Sequence, residues 1–190
     1  MQIPGMLICV YLWAAFYVLW LIWALRTKPT RSREGLASRL SHRLPIIVAY
    51  VLMFIPYTAK GWLGFQLVPG ELWVQLLGVS LTLAGLLFAV WARFYLGGNW
   101  SSAVTVKFEH ELVRSGPYRW VRHPIYSGLV LATLGTAIAN REVRGVIALV
   151  LAFIGFTIKS RIEERAMTST FGAEYQDYSQ STGGILPRLH

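Results

Sequence analysis

Charged residues are scarce in this chain: they make up 14% of its 190 residues, whereas 55% are hydrophobic. A soluble domain carries about a quarter charged residues, so the composition indicates a protein of the lipid bilayer. Cysteine is almost absent as well. The single cysteine, Cys9, lies within an apolar run, which excludes a disulfide framework within the chain and a cysteine-rich metal site.

Common cofactor and metal motifs are also missing. The chain has no Gly-x-Gly-x-x-Gly after a strand and no P-loop, so a nucleotide-like cofactor would have to be held outside a Rossmann fold. His110 stands between Glu109 and Glu111, which is not the spacing of a helical His-Glu-x-x-His metal motif. We therefore expect no metal site.

Five apolar runs have about the length that a membrane-crossing helix needs. They cover residues 3–25, 44–66, 72–96, 125–139 and 143–158. Pro56 is expected to kink the second helix, and the last two runs form a short helical hairpin. No basic region precedes the first run, which we interpret as a retained helix rather than a signal peptide.

The basic residues are distributed unevenly around these runs. Fifteen of the 18 Lys and Arg fall on one side, against Lys60, Arg141 and Arg144 on the other. By the positive-inside rule this predicts an N-terminus outside and a C-terminus in the cytosol. We therefore expect an all-α polytopic membrane protein with about five transmembrane helices and a cytosolic site. Residues 1–96 would hold helices 1–3 and residues 97–190 the functional core, within one integral domain.

The segment 115–128, SGPYRWVRHPIYSG, carries more chemistry than a loop between helices needs. Pro124 fits the first position of a helix, whose positive end attracts carboxylates and phosphates. His123 would either cap that helix or bind a ligand. Tyr118, Trp120 and Tyr126 are either interfacial belt residues or faces that stack on a base and hold a cation.

Glu163 and Glu164 follow the fifth apolar run, with Lys159 and Arg161 just before them. Sequence alone permits two interpretations. The group is either a solvated helix end with weak ion pairs, or a carboxylate for a cationic ligand beside a cation that grips an anion. An apolar stripe at helical spacing follows and predicts a tail helix that lies along the interface or packs over the motif loop. The stripe consists of Met167, Phe171, Tyr175 and Tyr178.

Several short motifs follow one another between about residues 97 and 187. They are Asn99-Trp100-Ser101, His110-x-Leu112-Val113, Gly116-Pro117-Tyr118, Arg122-His123-Pro124-x-Tyr126-x-Gly128, Glu163-Glu164 and Phe171-Gly172-x-Glu174-Tyr175-x-x-Tyr178. No single motif is specific, but the ordered set resembles the isoprenylcysteine carboxyl methyltransferase family and its bacterial relatives. Phospholipid N-methyltransferases are more distant kin.

The resemblance implies an enzyme of the bacterial inner membrane that uses S-adenosylmethionine at a cytosolic site. The implied cofactor-binding residues are Lys107, His110, Glu111, Leu112, Val113, Tyr118, His123, Pro124, Ile125, Tyr126 and Glu163. The implied catalytic residues are Lys159, Arg161, Glu163 and Glu164. The family's substrate-contacting cation falls at Lys159, with Arg161 as the nearby alternative. A charged substrate head beside a membrane needs cationic partners, which Arg119, Arg122, Lys159 and Arg161 can provide.

The methyl acceptor stays open between two chemistries. A carboxylate needs no strong base, which favours O-methylation of a lipid-like or isoprenoid-linked acid, whereas an amine must first lose a proton to Glu164 or His123. Outside methyl transfer, a small transporter or lipid-binding structural protein is the main alternative. Transport predicts polar residues inside the spans, and these are nearly absent. A membrane reductase with a nicotinamide cofactor is a third possibility.

Overall fold

The computed structural model describes residues 5–25, 30–33, 35–55, 60–97, 105–107 and 112–188, with residues 30–33 and 105–107 described by their backbone alone. The helices are α1 (Gly5–Ala24), α2 (Leu36–Phe54), α3 (Leu72–Leu96), α4 (Pro124–Asn140), α5 (Val143–Phe171) and α6 (Ala173–Ser181). Short 3₁₀ turns span Gly61–Gly64 and Gly116–Arg119. The described part is mainly helical, as expected. It also contains an antiparallel ladder between β1 (Thr30–Arg33) and β2 (Thr105–Lys107), which the all-α expectation lacked.

Three described helices are long and apolar enough to cross a membrane. These are α1, α3 and α5, with mean hydropathies of 2.1, 2.0 and 1.8 over their most apolar windows, while α4 is apolar but shorter. Such helices identify an integral membrane protein by length and composition. Large apolar side chains are exposed along them, as surfaces that face lipid require.

Two helix boundaries differ from the sequence-based expectation. Helix α2 occupies Leu36–Phe54 rather than 44–66, so Pro45 lies inside it, and Pro56 falls outside the described residues. Helix α5 continues to Phe171 instead of ending near residue 158. The polar residues after 158 include good helix formers and no proline, and Gly172, at φ 54°, then ends the helix. The carboxylates therefore lie on a helix.

The close approach of α3 and α4 depends on small residues. A Cβ added at Gly85 would lie 2.4 Å from the backbone N of Ala132, and one at Gly135 would lie 2.4 Å from the backbone N of Thr82. The hydroxyls of Thr82 and Thr136 hydrogen-bond across the contact at 3.1 Å. Small residues and buried hydroxyls are the usual means by which membrane helices pack closely. This contact fixes α4, which carries the motif segment at its start.

Helix α5 is held against α2 by a buried arginine. Arg144 Nη1 donates to the carbonyls of Leu52 at 3.1 Å and Ile55 at 3.0 Å. Farther along, a Cβ on Gly155 would lie 2.9 Å from the carbonyl oxygen of His42, so only glycine allows the approach there. These contacts fix the position of α5 along the bundle axis and hence the position of its polar end.

The chain beyond α5 folds back onto the segment that precedes α4. The Tyr178 hydroxyl on α6 donates to the carbonyl of Tyr118 at 2.6 Å. Val121 and Gly183 form a parallel bridge, and the amide of Arg122 donates to the Gly183 carbonyl at 2.8 Å. Gly172 divides the predicted tail helix between the end of α5 and α6. Of the two arrangements expected for it, α6 shows the one that packs over the motif loop.

Candidate functional site

Helix α4 begins at Pro124, as expected, with His123 as its N-cap residue. Residues three apart lie on the same side of a helix start, so His123 and Tyr126 are neighbours. Their rings are parallel within 4°, with centroids 5.5 Å apart. Tyr126 in turn stacks on Phe156 of α5, at 5.1 Å and 19°. The three rings form one aromatic stack between α4 and α5.

The facing side of α5 presents Phe156, Lys159 and Glu163 together, because steps of three and four residues follow one face of a helix. The Lys159 ammonium lies 5.3 Å from the centroid of the Tyr126 ring. The Tyr126 hydroxyl donates a 2.5 Å hydrogen bond to Glu163 Oε1. Arg161 is two residues from Lys159, about 200° around the helix, and its side chain is exposed.

His123 is held between two carboxylates. Its Nδ1 lies 3.4 Å from Glu163 Oε2 and its Nε2 lies 3.2 Å from Glu164 Oε1. An ionised carboxylate only accepts hydrogen bonds, so each ring nitrogen must carry a proton to satisfy its partner. The two protons are assigned from these partners. The arrangement therefore holds His123 as an imidazolium.

The charges of this group support one another. The site lies beyond the apolar part of α5, which ends at Ile158. Burial lowers the pKa of His123, but its hydrogen bonds and attraction to Glu163 and Glu164 outweigh burial and leave that pKa raised. Burial raises the pKa of Glu164, yet hydrogen bonds from His123 and Arg122 bring it down to about 2. The pKa of Glu163 is lowered in the same way, by His123 and Lys159 against its burial.

Arg122 completes the cluster from the side of the C-terminal segment. Its Nε donates to Glu164 Oε1 at 2.9 Å, and its Nη1 donates to the carbonyls of Ser179 at 2.9 Å and Thr182 at 2.6 Å. Arg119 is placed differently. Its guanidinium lies over the exposed ring of Trp120, 5.4 Å from the centroid.

The structure thus brings together part of the residues predicted from sequence. Six of them form one cluster, which we call the ionic cluster: His123, Tyr126, Glu163, Glu164, Lys159 and Arg122. Arg119 and Arg161 are exposed, and in the described part of the chain neither forms a hydrogen bond or an ion pair with the ionic cluster.

The remaining predicted cofactor residues have other surroundings. Tyr118 is buried in the 3₁₀ turn, and Pro124 and Ile125 are buried at the start of α4. Val113 packs against the core, and Leu112 is half-buried. Lys107 lies in β2, where only the backbone is described, and His110 and Glu111 fall outside the described residues.

Sequence reasoning missed two contributors to this region. Phe156 supports Tyr126, but within an apolar run nothing distinguishes it from residues that face lipid. The carbonyls of Ser179 and Thr182 hold Arg122, and main-chain acceptors leave no mark in a sequence. Of the described residues, none form a group of three His, Cys, Asp or Glu side chains that could hold a metal ion.

Comparison with known proteins identifies relatives of this chain. Residues 73–174 match the model of the family described as phospholipid methyltransferase. The cobalt-zinc-cadmium resistance protein CzcN of Cupriavidus metallidurans is 31% identical over 145 residues, which are 76% of this chain and 62% of that protein. Protein-S-isoprenylcysteine O-methyltransferase of Rattus norvegicus is 28% identical over 153 residues, 78% of this chain and 53% of that protein.

A solved structure has a similar fold. It is a eukaryotic intramembrane Ras methyltransferase, isoprenylcysteine carboxyl methyltransferase, and it aligns with a TM-score of 0.57 at 23% sequence identity. The alignment covers 81% of this chain and 54% of the other. The chain therefore spans between about half and three fifths of the length of the relatives described above.

Proposed function

The chain belongs to the phospholipid methyltransferase family, and we propose that it is an integral membrane methyltransferase that uses S-adenosylmethionine. The acceptor we propose is a carboxylate on an isoprenoid-linked or similarly lipid-like molecule. The observation that carries this proposal is the ionic cluster, in which paired carboxylates, an imidazolium and an aromatic face meet at the polar end of α5.

The cluster has the chemistry to hold such a cofactor. S-adenosylmethionine supplies a methyl group on a sulfonium cation. The Lys159 ammonium lies 5.3 Å from the centroid of the Tyr126 ring, so this ring is placed to interact with a cation. Glu163 stands beside it with a side chain 21% exposed, within reach of a ligand. Tyr126, Glu163 and His123 would hold the cofactor, and Phe156 would keep the Tyr126 ring in place.

The same geometry favours an acceptor that is already an anion. Glu163 accepts hydrogen bonds from Tyr126 and His123, and Glu164 accepts them from Arg122 and His123. His123 is protonated, and the pKa of Glu164 is about 2, so neither is a strong base at neutral pH. A carboxylate needs no deprotonation. The protein would align donor and acceptor and exclude water.

Lys159 is the cation we propose for the acceptor carboxylate. It is half-buried and shares its helix face with Glu163, whereas Arg161 is exposed on another face of α5. An ammonium beside the cofactor face would attract an anionic acceptor and place it near the methyl group.

We further propose that five helices cross the bacterial inner membrane, with the N-terminus outside and the ionic cluster facing the cytosol. The start of α4 and the polar end of α5 lie together, so the motif segment and the carboxylates share one side of the bundle. The predicted spans assign 15 of the 18 basic residues to that side, which supports this orientation.

Methylation of an amine headgroup is the second candidate, because the matching family model is described as phospholipid methyltransferase. An amine is protonated at neutral pH and must lose a proton before it attacks. The ionic cluster offers two carboxylates whose pKa is lowered and a protonated histidine for that task. The carboxylate is therefore the acceptor that the geometry supports better.

Binding of S-adenosylhomocysteine to the purified protein in detergent tests the cofactor assignment by calorimetry. We expect the wild-type protein to bind and Glu163→Gln to bind at least about tenfold more weakly, since a hydrogen bond or ion pair with a charged group is lost. Glu174→Gln is the matched control, because Glu174 pairs with Arg114 at the surface and should leave the affinity unchanged. Absence of binding to the folded wild-type protein would refute the proposal.

A further inference from the structure

We infer that Arg122 is a positioning residue, which joins the C-terminal segment 182–186 to Glu164 and so holds that carboxylate against His123. We call residues 182–186 the strap. The inference rests on the proposed function of the ionic cluster. It assigns Arg122 to the support of the site, in place of the contact with substrate that its charge suggested.

Two of the three guanidinium nitrogens of Arg122 are held by protein partners. Its Nε donates to Glu164 and its Nη1 donates to the carbonyls of Ser179 and Thr182. The side chain is 14% exposed. An arginine that bound a substrate anion would need its fork free to face the ligand. Here Nε is held by Glu164 and Nη1 by the main chain of the tail, so neither edge of the fork offers a ligand two unengaged nitrogens.

The strap also holds the backbone on both sides of the Arg122 side chain. The Arg122 amide donates to the Gly183 carbonyl at 2.8 Å, and the Gly183 amide donates to the Trp120 carbonyl at 3.1 Å. The His123 amide donates to the Gly184 carbonyl at 3.2 Å. These bonds satisfy main-chain donors just before α4, where no intrahelical acceptor is available.

The strap is itself anchored firmly. Ile185 is buried in the hydrophobic core, and the Ser127 hydroxyl donates to its carbonyl. Gly183 has no room for a side chain, since a Cβ there would lie 2.1 Å from the Leu186 carbonyl oxygen. Gly184 is different: the nearest atom to an added Cβ is Arg122 Nη2, at 3.8 Å. The two neighbouring glycines therefore provide a matched pair of substitutions.

Glu164 Oε1 is the acceptor atom that Arg122 and His123 share. It accepts from Arg122 Nε and from His123 Nε2, so the arginine can fix the carboxylate only while the strap fixes the arginine. A lysine retains the positive charge, but its compact ammonium does not reproduce the planar fork that spans Glu164 and the carbonyls. Arg122→Lys thus separates geometry from charge.

The first test follows His123 directly by ¹⁵N NMR of histidine-labelled protein in detergent, with the His123→Asn spectrum for assignment. The charged and titratable groups near His123 are Glu163 and Glu164 on α5, Tyr126 on α4, and Arg122. We expect Arg122→Lys and Gly183→Ala to lower the pKa of His123 toward its value in Glu164→Gln, because the carboxylate loses its position. Gly184→Ala should leave the titration unchanged.

A double-mutant cycle then separates positioning from other roles. We expect Arg122→Lys to weaken S-adenosylhomocysteine binding about 10- to 100-fold in the wild-type background. In a protein that already carries Glu164→Gln, the same substitution should weaken binding by less than about twofold. Fully additive losses would overturn the inference in favour of a direct ligand contact. If Arg122→Lys and Gly183→Ala both lower the melting temperature but leave the His123 titration unchanged, the inference is overturned in favour of a purely structural role.

The two proposals fail separately. If the folded wild-type protein does not bind S-adenosylhomocysteine, the proposed function fails, and the His123 titration still decides whether Arg122 positions Glu164. If the wild-type protein binds but Arg122→Lys and Gly183→Ala leave the titration unchanged, only the inference about Arg122 fails.

Discussion

Tyr126 and Glu163 are joined by a 2.5 Å hydrogen bond from the phenol hydroxyl to the carboxylate. The bond links the first turn of α4 to the polar end of α5, two segments 37 residues apart in the chain. Taken separately, the residues of the first turn of α4 and those of the polar end of α5 each have an ordinary structural explanation. Together they form a cluster whose aromatic face and charges suit a cationic cofactor.

Tyr126→Phe removes this bond and leaves the ring. Because a hydrogen bond to a charged group is worth about 1.5–3 kcal/mol, we expect S-adenosylhomocysteine affinity to fall at least about tenfold. The lost bond should also lower the melting temperature, but the protein should still fold, since the phenyl ring still stacks on Phe156 and His123. Calorimetry and thermal unfolding of the same preparation measure both quantities. Wild-type affinity in Tyr126→Phe would show that Glu163 does not need the hydroxyl.

The titration of the ionic cluster predicts how stability depends on pH. The pKa of Glu164 falls from 4.5 to about 2 on folding, so its contribution is present above pH 4.5 and is lost as the pH falls toward 2. The pKa of His123 is raised from 6.5, so its contribution is present below pH 6.5 and is lost as the pH rises through the folded value.

We therefore expect the melting temperature in a fixed detergent to be highest between about pH 4.5 and 6.5 and to fall on both sides. His123→Asn should lower the whole curve and flatten its alkaline side, because the group that titrates there is gone. An alkaline decline of the same slope in His123→Asn would mean that another group causes it.

Much of the architecture could be predicted from the sequence because membrane helices are marked by long apolar runs. The start of α4 at Pro124 and the turn after Asn140 agree with the structure. The extension of α5 to Phe171 could not be recognised by hydropathy, since residues after Ile158 are polar yet remain helical. The β1–β2 ladder was missed for a related reason: its three- and four-residue strands are too short to show a pattern.

The site could be predicted in composition but not in arrangement. The motifs indicated His123, Tyr126 and Glu163, and helical periodicity places Lys159 with them once α5 is known to continue. The partners of Arg122 in the tail could not be predicted, because they are main-chain carbonyls of a segment that returns from the end of the chain. Charge alone could not distinguish Arg122 from the exposed Arg119.

The contact between α3 and α4 predicts a sharp steric effect. Gly85→Ala would place a methyl group 2.4 Å from the backbone N of Ala132, so the two helices must separate. We expect the free energy of unfolding to fall by about 1–3 kcal/mol. Gly35→Ala is the control, because nothing lies within 4 Å of a Cβ there. Thermal unfolding in detergent compares the two variants, and equal melting temperatures would contradict the described packing.

The positions of Lys159 and Arg161 predict unequal roles. Lys159 faces Tyr126, whereas Arg161 is exposed and lies about 200° from Lys159 around α5. With an isoprenylated cysteine as acceptor, we expect Lys159→Met to raise KM at least about tenfold, the cost of losing one charged hydrogen bond. Arg161→Met should raise it less. Steady-state kinetics with saturating S-adenosylmethionine measure the difference, and a larger effect at Arg161 would reverse the assignment.

The central claim is methyl transfer to a carboxylate, and the chemical nature of the product tests it most directly. Purified protein is incubated with S-adenosylmethionine labelled in its methyl group and with native membranes or an isoprenylated cysteine that has a free carboxylate. The extracted product is then treated with base. We predict a labelled methyl ester whose label base releases, and its loss in Glu163→Gln. A labelled product that survives base, as a methylated amine does, would contradict the account.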